Sequence, residues 1–210
     1  CMASSGPGAT NLLTAIADAK LDSIPLVAIT GQVPRAMIGT DAFQEVDTYG
    51  LTVPITKHNF LVSSADELLE VIPRAFEIAA SGRPGPVLID IPKDVQNQAI
   101  EIADWPAPGV RRLPPPAAGD AIAEVASLIN AARRPLLYLG GGVVHSGAAA
   151  AAVDLAEKAN LPTVMTLMAL GAMPVDHPLS LGMLGMHGAR YCNLALDECD
   201  LLIAVGARFD

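Results

Sequence analysis

The residues of this 210-residue chain whose types and spacing suit chemistry fall into two glycine turns, one acidic loop and a few placed cations. Gly6-Pro7-Gly8, in "SSGPGATNLL", sets a tight turn ahead of an alanine-rich helix. Backbone N–H groups at such a helix start suit an anion or polar ligand, and the same residues equally suit a turn made for close packing. "LYLGGGVVHSG" puts Gly140, Gly141 and Gly142 between a strand and a helix, where bare backbone admits a phosphate or a ribose. The match to GxGxxG is incomplete, and no acidic residue closes the next strand, "TVMTLMALG", to hold a ribose hydroxyl, which argues against an ordinary NAD site. "GTDAFQEVDTYG" gathers Asp41, Gln44, Glu45 and Asp47 around Phe43, a composition shared by substrate-positioning loops and by solvated loops with one anchoring aromatic. Lys57, Arg83 and Lys93 stand beside glycine, proline and loop segments and are the cations best placed to meet anionic groups, an ordinary surface role being the alternative for each.

Other chemistries are disfavoured. His58, His145, His177 and His187 are scattered, with no HxxxH spacing and no neighbouring Ser/Asp pattern for histidine catalysis. Cys1, Cys192 and Cys199 are odd in number and lack CxxC or Cys/His spacing, so they read as reduced thiols rather than disulfides or metal ligands. The formal charge of −9 and the lack of clustered Lys and Arg argue against a nucleic-acid partner. No apolar run reaches the ~18 residues of a membrane span, and the start lacks the order of a signal peptide. A soluble, cytoplasmic protein is the expectation. Because translation does not start at Cys, the chain is expected to be the interior of a larger protein.

These residues need a frame to hold them. Half the chain is apolar and 17% is charged, enough for a large core and two domains. Thr10 and Asn11 are capping types before Leu12, Leu13, Ile16 and Ala17, predicting a helix over 11–20. Residues 24–30 form a short apolar run ending at Gly31, the pattern of a buried parallel strand. The spacing of Leu68, Leu69, Ile72, Ala75, Phe76 and Ala79 predicts a helix over 65–81 ended by Gly82, and 86–91 is a second buried strand. Between 103 and 119 the text becomes "ADWPAPGVRRLPPPAAG", a proline-rich linker. It separates an N-terminal domain, 1–102, from a second one, 120–210, with helices over 120–132 and 147–159 and strands over 135–139, 162–167 and 200–206. The alternation predicts an α/β fold with a mostly parallel sheet. In the second domain Gly140 to Gly142, Thr166-Leu167 and Gly206-Ala207-Arg208 all fall at strand ends, on the edge where such sheets bind nucleotides.

Taken together, "SSGPGATNLLTAIADAKLDSIPLVAITGQVP", "IGTDAFQEVD", "PITKHNFLV", "SGRPGPVLIDIPKDVQ", "LGMLGMHG" and "DLLIAVGARFD" closely resemble the catalytic subunit of acetolactate synthase, also called acetohydroxyacid synthase, over almost the whole chain. SGPG and RPGPV are shared by many thiamine-diphosphate enzymes; GTDAFQE with GMLGMHG looks like this member. The resemblance implies the later part of a pyrimidine-binding domain followed by most of a Rossmann-like central FAD-binding domain. The implied reaction is decarboxylation of pyruvate on thiamine diphosphate and ligation of the hydroxyethyl unit to a second 2-keto acid, pyruvate or 2-ketobutyrate. The products serve branched-chain amino-acid synthesis.

Carried over by matching positions, Gln44 would sit by thiamine diphosphate and Phe43 by the substrate, with Pro34, Lys57 and Lys93 around the entry channel. Ser23 and Arg83 would approach the flavin side. Gly140 to Gly142, Thr166, Leu167, Leu184, Gly185, Met186, His187, Gly206, Ala207, Arg208, Phe209 and Asp210 would line FAD. The resemblance also implies a homodimer or larger assembly and, in relatives, a small regulatory subunit. The family's catalytic Glu would precede Cys1, and the motif that holds Mg2+ and the diphosphate would follow Asp210, so these 210 residues alone are expected not to turn over. The competing readings are a sibling thiamine-diphosphate enzyme, of the pyruvate oxidase or glyoxylate carboligase type, and a nucleotide-binding module without catalysis.

Overall fold

The computed structural model describes residues 1–209; Asp210, expected beside FAD, lies outside the described residues. The chain divides into two compact units, Cys1–Pro115 and Pro116–Asp210.

In the first unit, strands β1 (Met2–Ala3), β2 (Leu26–Gln32), β3 (His58–Leu61) and β4 (Pro86–Pro92) form one parallel sheet in the order β1-β2-β4-β3. Helices α1 (Pro7–Thr10), α2 (Leu13–Leu21), α3 (Thr48–Thr52), α4 (Leu68–Ala80) and α5 (Lys93–Gln96) connect them. β4 is buried along its entire length because it has a strand on either side and helices over both faces. One face packs Val87, Ile89 and Ile91 with Ala75 and Ala79 of α4; the other packs Leu88 with Ala28 and Ile16 of α2.

The helix expected over 11–20 is α2, over Leu13–Leu21, and a separate short helix, α1, precedes it. Gly6, at φ 58°, precedes Pro7 at the first helical position, so the chain turns helical at once, as proline's fixed φ favours. Asn11 ends α1 rather than capping the next helix, and α2 starts after Leu12. β2 lies two residues later than its apolar run, and Gly31 is inside it, paired with Ile91. α4 ends at Ala80, two residues before Gly82.

The second unit holds α6 (Gly119–Ala131), β5 (Pro135–Leu139), α7 (Gly141–His145), α8 (Ala149–Ala159), β6 (Thr163–Met165), β7 (Ser180–Met183), α9 (Arg190–Glu198) and β8 (Leu201–Val205). Its sheet is also wholly parallel, in the order β7-β6-β5-β8. The chain thus winds outward from β5 to β7 and then returns to β5's other side. The strand order reverses between β5 and β8. The core is Leu137, Leu139 and Met165 against Val143 of α7 and Ala152 and Ala156 of α8. The expected strand over 162–167 is shorter, because Leu167–Ala169 turn into a 3-10 helix.

Candidate functional site

Parallel pairing brings every strand of the first sheet out at the same edge, and there the Gly6 turn, Gln44, Pro34 and Lys93 are placed. The Gly6 turn closes on the acidic loop: a Cβ at Gly6 would lie 2.8 Å from Gln44 O and 2.9 Å from Gln44 Cα. Gly6 at φ 58° and Gln44 at φ 61° both have positive φ, which glycine adopts freely and Gln44 only under strain, so a strained residue is seated on a glycine turn. Phe43, one residue earlier, is 89% exposed. Pro34 opens a short turn after β2 and Lys93 starts α5 after β4. Arg35 ties these segments together, its backbone N–H donating to Asp94 Oδ1 at 3.0 Å and its Nε to Oδ2 at 2.7 Å. Those bonds hold the Asp94 carboxyl below its usual range. Beside them is a cavity of about 550 Å³ lined by Ser4, Ser5, Thr30, Gln32, Lys93 and Gln96 among others.

Sequence reasoning missed the buried network under this edge. Asp90, in an otherwise apolar strand, is 1% exposed. It accepts from Thr30 Oγ1 at 2.7 Å and from Gln32 Nε2 at 3.1 Å. Burial pushes its carboxyl up to about 6, against the opposing effect of these two donors and with a further upward push from the Asp47 charge. An acid inside "PVLIDIP" facing a Thr and a Gln in "AITGQ" was the available signal.

The remaining residues singled out in this unit lie at the opposite, amino edge. Ser23 precedes β2, Lys57 precedes β3 and Arg83 precedes β4. Arg83 Nε donates to Ser23 Oγ at 2.9 Å and its Nη2 to the Lys20 and Leu21 carbonyls, so the pair closes the end of α2. Lys57 Nζ donates to Ile78 O and to Ser81 O, the last at 2.7 Å. Its stem runs over Gly85, where a Cβ would lie 2.9 Å from Lys57 Cγ. Partial burial lowers its pKa. The expected channel lysine is therefore committed to the carbonyl end of α4, where a cation complements the helix dipole. The structure places it away from Pro34 and Lys93.

In the second unit four predicted segments form one continuous rim. Neighbouring strand ends are joined through backbone: Leu184 N–H donates to Met165 O, Thr166 N–H to Leu139 O, Gly140 N–H to Val205 O and Gly142 N–H to Gly206 O. In spatial order the rim runs Leu184, Thr166, Gly140, Gly206, with the Gly140–Gly206 pair at the point where strand order reverses, the place where open parallel sheets hold ligands. A Cβ at Gly140 would overlap Gly206 O and Ala207 Cα, and one at Gly142 would lie 2.8 Å from Gly206 Cα. These glycines let two loops touch and so floor the crevice; Gly141 faces Met168 instead. Leu167 and Met186 are exposed, as is His187. Phe209 stacks edge-on against Tyr138 at 5.6 Å. Arg208 is exposed and Ala207 beside it is half-buried. Gly185 is clamped by Asn193, which accepts from its N–H at 2.8 Å and donates to its carbonyl at 3.1 Å, a residue the sequence reading passed over.

Two groups implied by the family can be tested against these residues. Thr166 Oγ1 is buried at the rim with no hydrogen-bond partner among the described residues, an orphaned hydroxyl suited to a ligand. With Gly141 N–H at the start of α7, where a helix leaves donors without acceptors, the rim fits a nucleotide-type cofactor. Mg2+ fares differently. Among the described residues no group of three His, Cys, Asp or Glu side chains is placed to hold a metal ion.

The two parallel-sheet units and their carboxyl edges define an α/β cofactor-binding protein, and family models make the class specific. Residues 1–51 match the thiamine pyrophosphate enzyme N-terminal TPP binding domain and residues 122–210 match the thiamine pyrophosphate enzyme central domain. The chain belongs to the thiamine pyrophosphate enzymes. Within them it is 65% identical over all 210 residues to the acetolactate synthase isozyme 1 large subunit of Escherichia coli, covering 37% of that protein. It is 55% identical to chloroplastic acetolactate synthase 1 of Zea mays and 56% identical to the acetolactate synthase of Mycobacterium bovis, in each case over all of this chain and 33% and 34% of the relative. The chain thus spans about a third of the length of these relatives.

Proposed function

We propose that this chain is the catalytic-subunit portion of an acetolactate synthase that carries one face of the thiamine diphosphate site and most of a flavin site. The reaction is decarboxylation of pyruvate and ligation of the two-carbon unit to pyruvate or 2-ketobutyrate, giving 2-acetolactate or 2-aceto-2-hydroxybutyrate. The observation that carries this reading is the unbroken likeness to acetolactate synthase large subunits, running through both units at 65% identity.

Thiamine diphosphate, when bound, supplies the electron sink for loss of carbon dioxide. The chain's part is to orient. The Gly6 turn packs against the Gln44 backbone and so fixes where Gln44 sits at the sheet edge. Phe43 presents an apolar ring to the substrate side, and Lys93 beside Pro34 lends positive charge where a 2-keto acid carboxylate enters. On the second unit, Thr166 Oγ1 and the Gly140 to Gly142 turn would hold FAD, with Leu184 to His187 and Gly206 to Phe209 on either flank. The Mg2+ that accompanies the diphosphate would take its ligands from elsewhere in the protein. A homodimer or larger assembly, a small regulatory subunit and a cytoplasmic location complete the reading; among the described residues no helix is long and apolar enough to cross a membrane.

The test is product formation from pyruvate with thiamine diphosphate, Mg2+ and FAD, using the native protein that carries this chain. Acetolactate is the expected product. Acetyl phosphate with peroxide, or tartronate semialdehyde from glyoxylate, would move the assignment to a sibling enzyme. Flavin retention with no turnover at all would favour a binding module.

A further inference from the structure

The loop that carries Phe43 and Gln44 has no regular structure between the turn at Arg35–Met37 and α3. Gly39, Asp41 and Gln44 within it all have positive φ. Such backbone persists only where its surroundings over-determine it. At the loop's entry the determinant is the Arg35–Asp94 pair. Inside it, Glu45 Oε1 accepts from Gly39 N–H at 2.7 Å. At its exit, Gln32 Nε2 donates to Val46 O at 2.8 Å, two residues beyond Gln44.

Gln32 is 5% exposed, and every part of its amide is engaged. Its Oε1 accepts from Val33 N–H at 2.9 Å, while Nε2 serves both Val46 O and Asp90 Oδ2. An inverted amide would set Nε2 against the Val33 donor and Oε1 against the Val46 carbonyl. What forbids inversion from the far side is Asp90, whose ionised carboxyl only accepts. Thr30, on the other oxygen, is 1% exposed and completes the network.

We propose that Asp90 is a positioning residue: through Gln32 it fixes the exit of the Phe43–Gln44 loop and keeps Gln44 seated on the Gly6 turn. The proposal rests on reading that loop as part of the cofactor and substrate site, and it adds the buried acid that aims it. Asp90 shares its face of the sheet with Leu88, against which α2 packs. The charged side chains on α2 are Asp18 and Lys20, and Lys20 is bound to the Pro54 and Thr56 carbonyls. At the start of α3, Asp47 accepts from Gly50 N–H and is the charge that acts on Asp90. Its neighbours across the sheet, Thr30 and Leu61, are uncharged. Protonation of the carboxyl weakens the Gln32 bond from charge-assisted to neutral.

Hydrogen exchange on the native protein carrying this chain tests this, comparing wild type, Asp90→Asn and Gln32→Met. Both substitutions keep side-chain volume: Asp90→Asn replaces a carboxylate that only accepts with an amide that tolerates either orientation of Gln32, and Gln32→Met deletes the amide that holds Val46 O. Exchange in residues 38–47 should rise about tenfold in each, while β4 and α4 peptides keep wild-type protection. In wild type the loop, corrected for intrinsic rates, should exchange several-fold faster at pH 5 than at pH 7.5, and Asp90→Asn should abolish that difference. A uniform rise across the first unit, or an unchanged loop, overturns the proposal. Should Asp90→Asn fail to fold, Gln32→Met and the wild-type pH series decide. Turnover separates this idea from the one beneath it: a loosened loop with kcat and KM for pyruvate unchanged would support Asp90's role and sink the loop's assignment to the site.

Discussion

The two carboxyl edges of this molecule are built by opposite means. In the first unit the edge is organised by side chains: Asp90, Thr30 and Gln32 below, Arg35 and Asp94 above. In the second it is organised by backbone, with Gly140 and Gly142 lying on Gly206 and one hydroxyl, Thr166 Oγ1, left without a partner among the described residues. The difference teaches where each site is vulnerable. A side-chain edge answers to pH and to hydrogen-bond identity, whereas a backbone edge answers to the volume of a single methyl group.

The largest effect should come from breaking the backbone edge. Gly140→Ala puts a Cβ into Gly206 O and Ala207 Cα, neither of which is the end of a flexible side chain; urea denaturation should show a loss of about 3 kcal/mol. A loss below about 1 kcal/mol would mean that the two loops can part. The side-chain edge should respond to pH by a comparable amount. Folded Asp90 titrates at about 6, above its ordinary 3.8, so between those values the folded state binds more protons than the unfolded chain. Its contribution to stability therefore falls as pH rises from about 4 to about 6 and is level above that, by roughly 3 kcal/mol in all. The difference in stability between wild type and Asp90→Asn should trace this fall; a difference flat across the window would show an ordinary carboxyl.

Smaller effects sharpen the contrast between edges. Lys57→Met removes two donors from the end of α4 and should cost about 1 kcal/mol in thermal or urea unfolding. If Lys57 served the channel instead, turnover would drop while stability stayed put. Thr166→Val deletes an unpartnered hydroxyl, so the cofactor-free protein should change by less than about 0.5 kcal/mol while flavin affinity, read by fluorescence quenching, weakens severalfold. Equal flavin affinity would remove Thr166 from the rim's working set.

What the sequence made legible was whatever has a strong period or a long apolar run. β5 occupies the predicted residues, 135–139, and the α4 pattern from Leu68 to Ala79 defines a real helix. β3 was illegible because its four residues include His58 and Asn59; Asn59 is buried only since its amide serves Tyr49 O and Thr52 Oγ1, partners from another element. α9 was passed over too, with a polar surface around its one buried residue, Cys192. The strand ends of the second unit could be located from glycine and from the end of apolar runs, since parallel sheets put such ends on one edge. Which edge each cation faces could not be so located. Lys57, Arg83 and Lys93 all neighbour Gly or Pro in the text, yet only Lys93 follows its strand, and the others precede theirs. Asp90 needed the β2–β4 register, with Thr30 opposite, to become visible at all.

The strand orders also differ in when they can be completed. β4 is the last strand of its sheet in the chain and lies in its middle, so β3 has no partner in that sheet until residues 86–92 exist. In the second unit β5, β6 and β7 pair consecutively, and β8 only adds to an exposed side. On a ribosome β3 must wait, unpaired, for a strand still being made, and β2 has only the two residues of β1 beside it, while β5, β6 and β7 can pair as they emerge. A nascent chain that carries β3 therefore stays open to aggregation until Pro92 has left the exit tunnel.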